Sequence, residues 1–301
     1  MAEAEMAESD RVAIITGAGD GLGRAEAIEL ARDGVAVVVN DLSEDLLQET
    51  VSQVEAVGGR ALAVAGDVAE WETGVRLLEA ARDGLGQLDV LVNNAGILRD
   101  RMVFAMSEAE WDSVIRVHLR GTFVLTRLAT EHWRNLAKQG GTPQARIINT
   151  ASEAGLMGAA GQPNYVAAKA GIIGLTVSTA RGCERYGVRA NAICPRARTP
   201  MTDGMFAAPD SGHADPFGTE QVTPLVAWLA RPDSDAVTGQ VFVVHSGRIA
   251  VMAPPPVAAT FAAPERGWDV SAVASAMDWY AEPRPTFSAK DAIEAAFEVR
   301  G

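Results

Sequence analysis

Residues 11–41 read RVAIITGAGDGLGRAEAIELARDGVAVVVND, and this stretch decides the fold. The apolar run after Arg11 reads as a buried strand, the glycine-rich segment as a tight turn, and Leu22 to Arg32 as a helix; Val35 to Asn40 then supplies a second strand. Strand, turn, helix, strand is the unit that joins two parallel strands, which cannot be linked by a hairpin. Small residues at Gly17, Gly21 and Gly23 allow backbone amides to approach a pyrophosphate, and the positive end of the helix favours its charge. Leu22 belongs to the same junction and is read with it as cofactor-binding. Asp41 closes the second strand, where its carboxylate accepts from both hydroxyls of an adenosine ribose and repels a 2′-phosphate. Asp20 adds an acid inside the turn, and neither local position is basic, so NAD is expected rather than NADP. The competing readings are a purely structural turn and a solvated surface acid at position 41.

The alternation continues outward. Ser43 caps a helix that runs to about Val57 and ends at Gly58 and Gly59. ALAVAGD (61–67), a helix near Glu72 to Arg82, and LDVLVNNAG (88–96) follow. Long helical patterns near Glu108 to Ala137 and Asn164 to Tyr186 flank RIINT (146–150), and VRANAIC (188–194) and QVFVVHS (240–246) add two further strands. The expected fold is α/β: a Rossmann-like, doubly wound, seven-stranded parallel sheet with helices on both faces. Asp67, at the end of the third strand, is placed to accept from an adenine amino group with Val68 packing beside the base. Asn94, Ala95 and Gly96 close the fourth strand and leave room for the cofactor; Asn93 is read as structural or in contact. Residues 1–10 form a tail, 11–252 the nucleotide-binding domain and 253–301 an extension. The irregular stretch from Thr199 to Glu220 suits a lid. The extension carries short helices near Val270 to Trp279 and Lys290 to Glu298, and Trp268, Trp279, Tyr280 and Phe297 offer packing against the domain or a second subunit.

Composition narrows the classes. With 301 residues, 48% of them apolar, the chain can bury a large core, which excludes disorder. Its net charge of −13 repels phosphate backbones and anionic lipid, so nucleic acid and membrane partners are not expected. No apolar run reaches membrane-spanning length and the acidic start has no signal-like core, which points to the cytoplasm. Cys183 and Cys194 form no close pair, and His132, His213 and His245 have no coherent partner set, so no metal site is expected.

Tyr165 and Lys169, four apart in a helical pattern, project from one face. An ammonium near a phenol, together with a cationic nicotinamide, lowers the phenol's pKa, and the same lysine can orient the cofactor ribose. Ser152, just after the RIINT strand, supplies a hydroxyl to hold a reacting oxygen. Tyr165 then serves as general base in alcohol oxidation or general acid in carbonyl reduction.

TGAGDGLG (16–23), NNAG (93–96), Ser152 and YVAAK (165–169) together resemble the classical short-chain dehydrogenase/reductase family, from about Arg11 to Arg248. The resemblance implies that Ser152, Tyr165 and Lys169 are catalytic, that the glycine turn and Asp41 bind NAD, and that Pro195 and Thr199 meet the nicotinamide end. It also implies a homodimer or homotetramer. Where that family carries a catalytic asparagine this chain has His118, read either as a member of the proton relay or as filler. Arg196 stands where the family usually has glycine, and is read as altering the nicotinamide loop, contacting an anionic substrate or forming a solvent-facing salt bridge. NNAGILRDRMVF with EWDSVIRVHLRG resembles more narrowly the (3R)-hydroxyacyl-CoA dehydrogenase part of peroxisomal multifunctional beta-oxidation enzymes. That implies oxidation of a (3R)-hydroxyacyl-CoA to the 3-oxoacyl-CoA, with Arg99 and Arg101 as candidates for CoA phosphates or as solvated charges. A steroid or other bulky alcohol is the alternative substrate, and a catalytically weak NAD-binding regulator the alternative class.

Overall fold

A computed structural model describes residues 11–202, 204, 206 and 215–280. The tail at 1–10 and the expected helix at Lys290 to Glu298, with Phe297, lie outside the described residues, as do His213 and much of the stretch read as a lid.

The strands are β1 (Val12–Thr16), β2 (Ala36–Asp41), β3 (Ala61–Ala65), β4 (Val90–Asn93), β5 (Ala145–Thr150), β6 (Val188–Pro195), β7 (Val241–His245) and β8 (Arg248–Val251). They form one sheet in the order β3-β2-β1-β4-β5-β6-β7-β8, with the first seven parallel. Between them run α1 (Gly21–Arg32), α2 (Glu44–Ala56), α3 (Trp71–Glu79), α4 (Glu108–Ile115), α5 (Gly121–Lys138), α6 (Glu153–Met157), α7 (Pro163–Cys183) and α8 (Thr223–Ala230); α9 (Val270–Met277) follows the sheet. The order of strands reverses between β1 and β4, which opens a crevice at their carboxyl ends.

Alternation along the strands builds two cores. Ala13, Ile15, Val37 and Val39 face the side covered by α1, α2 and α8, with Leu30, Leu47 and Leu225. Val12, Ile14, Val38 and Leu91 face the side of α3, α5 and α7, with Leu77, Leu125 and Trp133. The indole N–H of Trp133 donates to Leu88 O at 2.6 Å, so the largest core side chain leaves no polar atom stranded. A polar ladder crosses the centre: Asn93 Nδ2 donates to Asn149 Oδ1 at 2.8 Å, and Asn149 Nδ2 to Thr176 Oγ1 at 2.9 Å. Asn93 is thereby engaged in the framework.

Three features depart from the sequence expectation. The seven parallel strands are joined by an eighth, antiparallel one: Ser246 and Gly247 (φ +49° and +70°) form a two-residue turn that folds β8 back on β7. Four residues, RIAV, are too short to register as a periodic strand. Second, α6 and α8 were not anticipated; α8, in TPLVAWLA, is nearly all apolar and has no helical period to read. Third, the long helix expected at 108–137 is continuous but contains a π-turn at Arg116–Arg120, which includes His118. The described part of the extension, 253–280, is largely exposed, with Val257 and Val270 more than four-fifths so. Among the described residues no helix is long and apolar enough to cross a membrane.

One core residue is out of character. Glu26, on the buried face of α1 beside Ala27 and Leu30, is fully buried, and both carboxylate oxygens lack a hydrogen-bond partner. Burial pushes its carboxyl up from 4.5 to about 8. The folded state therefore holds a proton that the unfolded chain releases above 4.5, so stability is fully present below that pH and is lost as pH rises toward about 8. Glu26→Gln removes this loss. Denaturant titrations of parent and variant should diverge between these limits, the variant gaining with a slope approaching about 1.4 kcal/mol per pH unit; parallel pH profiles would contradict the buried, protonated state.

Candidate active site

The crevice at the strand reversal is a cavity of about 410 Å³. At one end it is lined by Gly17, Asp20, Gly21, Leu22 and Asp41, at the other by Ser152, Tyr165, Lys169 and His118, with Thr199 packed beside Gly21. Asn94, Ala95, Gly96 and Pro195 also line it.

At the first end the backbone is packed as closely as it can be. A Cβ on Gly23 would lie 2.3 Å from Gly17 O and 2.5 Å from the Asn94 amide nitrogen, and one on Gly17 would lie 2.8 Å from Ala95 Cα. Asn94 Nδ2 holds the loop by donating to Thr16 O and Gly17 O at 3.1 and 3.2 Å. Asp20 is the N-cap of α1, accepting from Gly21 N–H at 2.6 Å. Asp41 receives the amide of Gly19 on Oδ2 at 3.1 Å and that of Leu42 on Oδ1 at 2.7 Å, which fixes the carboxylate at the rim. A glycine cradle, the positive end of a helix and an acid fixed at the end of β2 together fit a dinucleotide with free ribose hydroxyls.

At the other end Ser152 is the N-cap of α6, its Oγ accepting from Ala154 N–H at 3.2 Å, and it stands close enough to Tyr165 to lower its phenol's pKa. Tyr165 and Lys169 stand one turn apart on α7; Nζ lies 5.4 Å from the phenol ring centroid and donates to Thr150 O at 2.5 Å. Burial pushes the lysine down from 10.5 to about 7. The phenol is raised, by burial first, against a lowering by Ser152. Burial penalises the charged forms of both the phenol and the lysine.

His118 is 1% exposed. Its ring stands edge-on to Tyr165 at 5.3 Å, and a Cβ on Gly96 would lie 2.3 Å from its Cε1, so Gly96 is small because the imidazole occupies the space. Nε2 lies 2.9 Å from Ile97 N and 2.8 Å from Ile97 O, accepting from one or donating to the other according to tautomer, while Nδ1 is buried without a partner. Burial first, then the charge of Lys169, pushes the imidazole down from 6.5 to about 3, so it is neutral near pH 7.

Other expected residues lie elsewhere. Asp67 and Val68 do not line the cavity; one Asp67 oxygen meets Arg116 and the other accepts from Ala69 N–H at 2.8 Å. Arg99 and Arg101 also stay off its lining; Arg101 pairs with Glu110 at 3.1 Å. Arg196, by contrast, does line the cavity, and it is not the solvent-facing pair that its sequence allowed: it grips Glu153 across a partly buried contact at 2.8 Å. His245 is buried beside Ser246, Nδ1 lying 3.2 Å from its hydroxyl.

Sequence reasoning missed several contributors. Gly19 packs against Asp41 closely enough that a Cβ would lie 2.8 Å from its Cγ, and the second glycine of TGAGDGLG is the available signal. Thr202 donates to Ala197 O at 2.7 Å and accepts from Thr199 N–H at 2.9 Å, shaping the turn that presents Thr199. Leu98, Gln162, Met201 and Phe206 also line the cavity. Phe206 stacks on Phe217 at 4.2 Å, and Arg198 joins the two ends of this stretch by pairing with Asp215 at 2.8 Å.

Comparison with known proteins agrees with this geometry. Residues 11–209 match the family described as short chain dehydrogenase. The chain is 49% identical over 296 residues to hydroxyacyl-CoA dehydrogenase ChsB1 of Mycobacterium tuberculosis, covering 94% of this chain and 93% of that protein. It is 40% identical over 248 residues to peroxisomal multifunctional enzyme type 2 of Mus musculus, covering 79% of this chain but only 32% of that larger protein. The crystal structure of a short chain dehydrogenase from Mycobacterium avium superimposes with a TM-score of 0.84 at 42% identity, covering 93% of this chain and 97% of that one.

The cradle is testable. Gly23→Ala places a methyl group against Gly17 O and should weaken NADH binding, followed by cofactor fluorescence, at least about 100-fold, or about 3 kcal/mol. Gly174→Ala on α7, where a Cβ meets nothing within 4 Å, should leave binding unchanged. Equal affinities for the two variants would refute the cradle.

Proposed function

Because the chain belongs to the short-chain dehydrogenase family, we propose a specific reaction for it: NAD-dependent oxidation of a (3R)-hydroxyacyl-CoA to the 3-oxoacyl-CoA. It is an NAD-dependent oxidoreductase of that family. The observation that carries the reading is a single cavity with a glycine cradle and Asp41 at one end and Ser152, Tyr165 and Lys169 at the other. The named activity of the mycobacterial relative supports the substrate.

A bound NAD would supply the hydride acceptor for the carbinol carbon. The chain's own residues do the rest. Ser152 Oγ accepts from Ala154 N–H, which leaves its one hydroxyl proton as the donor that holds the substrate oxygen once substrate is bound. Tyr165, beside Ser152, takes the proton from that oxygen as it becomes a carbonyl, giving up its own phenolic proton toward Lys169. Lys169, deprotonating near neutrality, receives it in turn and holds the cofactor ribose. His118, neutral and with an unpartnered Nδ1, is suited to hold a relay water, and Gly96 makes room for it. Thr199 and Pro195 face the nicotinamide end, while Asp41 recognises the ribose at the other. Residues 11–252 form the catalytic domain and 253–301 an extension; the exposed Phe123 on α5 supports assembly into a homo-oligomer.

The deciding assay is NADH formation over a panel of (3R)- and (3S)-hydroxyacyl-CoAs, steroids and small secondary alcohols. The (3R) thioesters should react best; preference for a steroid would overturn the substrate, and NAD binding without any turnover would overturn the activity. Tyr165→Phe should lower kcat by about 10²–10⁴ while NAD still binds, and retained turnover would remove Tyr165 from the proton step. Asp41→Ala should raise kcat/KM with NADP relative to NAD; an unchanged ratio would exclude Asp41 as the selector.

A further inference from the structure

Ser152 rests on a poor foundation. It caps α6, a helix of five residues, and so short a helix has little stability of its own. The residue after it, Glu153, is buried in the free protein, and an unpaired carboxylate there would be costly. Arg196 meets that carboxylate with two nitrogens: Nη2 donates to Oε1 at 2.8 Å and Nε to Oε2. The guanidinium fork fits a carboxylate in one orientation and resists rotation. Arg196 is itself tied down, because its amide donates to Val244 O on β7 at 3.1 Å. Its neighbours Pro195, Ala197 and Thr199 line the cavity. Only 22% and 11% of the two side chains are exposed, so solvent screens the pair weakly.

We propose that the Arg196–Glu153 ion pair is a positioning device that locks the Ser152 hydroxyl to the 195–199 segment, setting the substrate-oxygen side and the nicotinamide side of the cavity in one register. The inference rests on the dehydrogenase reading above. Glu153 does not line the cavity and Arg196 does so beside Pro195 and Ala197; the positioning role belongs to the pair and is exerted through Ser152 and the 195–199 segment. The sheet anchors Arg196, Arg196 anchors Glu153, and Glu153 fixes the start of α6. Loss of either charge frees the serine to move by a fraction of its own length, and catalysis is sensitive to displacements of about 1 Å.

The test uses Glu153→Gln, Arg196→Met, the double variant and Arg196→Lys in the full chain. Four quantities are measured: kcat and KM with the best secondary alcohol of the panel, NADH affinity, the thermal midpoint, and the phenol titration of Tyr165, obtained as the absorbance difference from Tyr165→Phe. Each single variant should lose roughly 10- to 100-fold in kcat, the double should be no worse than the poorer single, and Arg196→Lys should fall between parent and Arg196→Met. The phenol should titrate higher in Glu153→Gln, because it loses the lowering by Ser152. A kcat within twofold of parent with only a lowered thermal midpoint, or losses that multiply in the double, would overturn the proposal. If Glu153→Gln does not fold, Arg196→Lys, which keeps a cation opposite Glu153, decides it by the same readings. If the parent itself oxidises no alcohol, the functional reading fails; the phenol titration then still judges the lock, supported by an upward shift and overturned by an unmoved midpoint.

Discussion

A sheet covered by helices on both faces can offer polar groups to a ligand only along its ends. The rest of this structure follows from that restriction. The two faces are sealed largely by apolar side chains, so Thr16, Asp41, Asn93, Thr150 and Pro195, at the carboxyl ends of five strands, are where chemistry can be presented to a ligand. The reversal of strand order separates α1 and its glycine turn from the α6 and α7 side, and the crevice lies between them. One side offers backbone dipoles, the other a hydroxyl, a phenol, an amine and an imidazole.

Local pattern made the framework legible. The glycine turn between two apolar runs, Asp41 after the second, and the four-residue spacing of Tyr165 and Lys169 all carry their meaning within a few residues. What could not be read joins distant parts of the chain. The grip of Arg196 on Glu153 spans 43 positions, and the fit of His118 against Gly96 depends on how two segments pack. Asp67 shows the converse: its place at the end of β3 is suggestive, but Arg116 on a helix 49 residues later claims one of its oxygens. The strand β8 and helix α8 escaped for a different reason, one being too short and the other too uniformly apolar to display a period.

Desolvation governs the ionisable groups of the interior. Lys169, His118 and Glu26 are all moved toward their uncharged forms, to about 7, about 3 and about 8. For the first two this is useful, since a lysine that exchanges its proton near neutrality and an imidazole that stays neutral suit a site in which protons are passed along and net charge is brought by the ligand. Glu26 has no such employment in the crevice and is simply a cost carried by α1.

The π-turn between α4 and α5 has a geometric meaning. An α-helix advances 3.6 residues per turn, so the direction of every side chain is dictated by its distance from any other. The wider turn at 116–120 resets that phase. Upstream, the carbonyl of Glu110 on α4 receives the Asn164 amide at 3.0 Å; downstream, Val124, Leu125 and Trp133 on α5 are aimed into the sheet. The two halves of one continuous rod thus address different neighbours, each in its own angular frame, with His118 at the seam. Removing a single residue from the turn would restore an unbroken helix and leave one of the two faces pointing the wrong way.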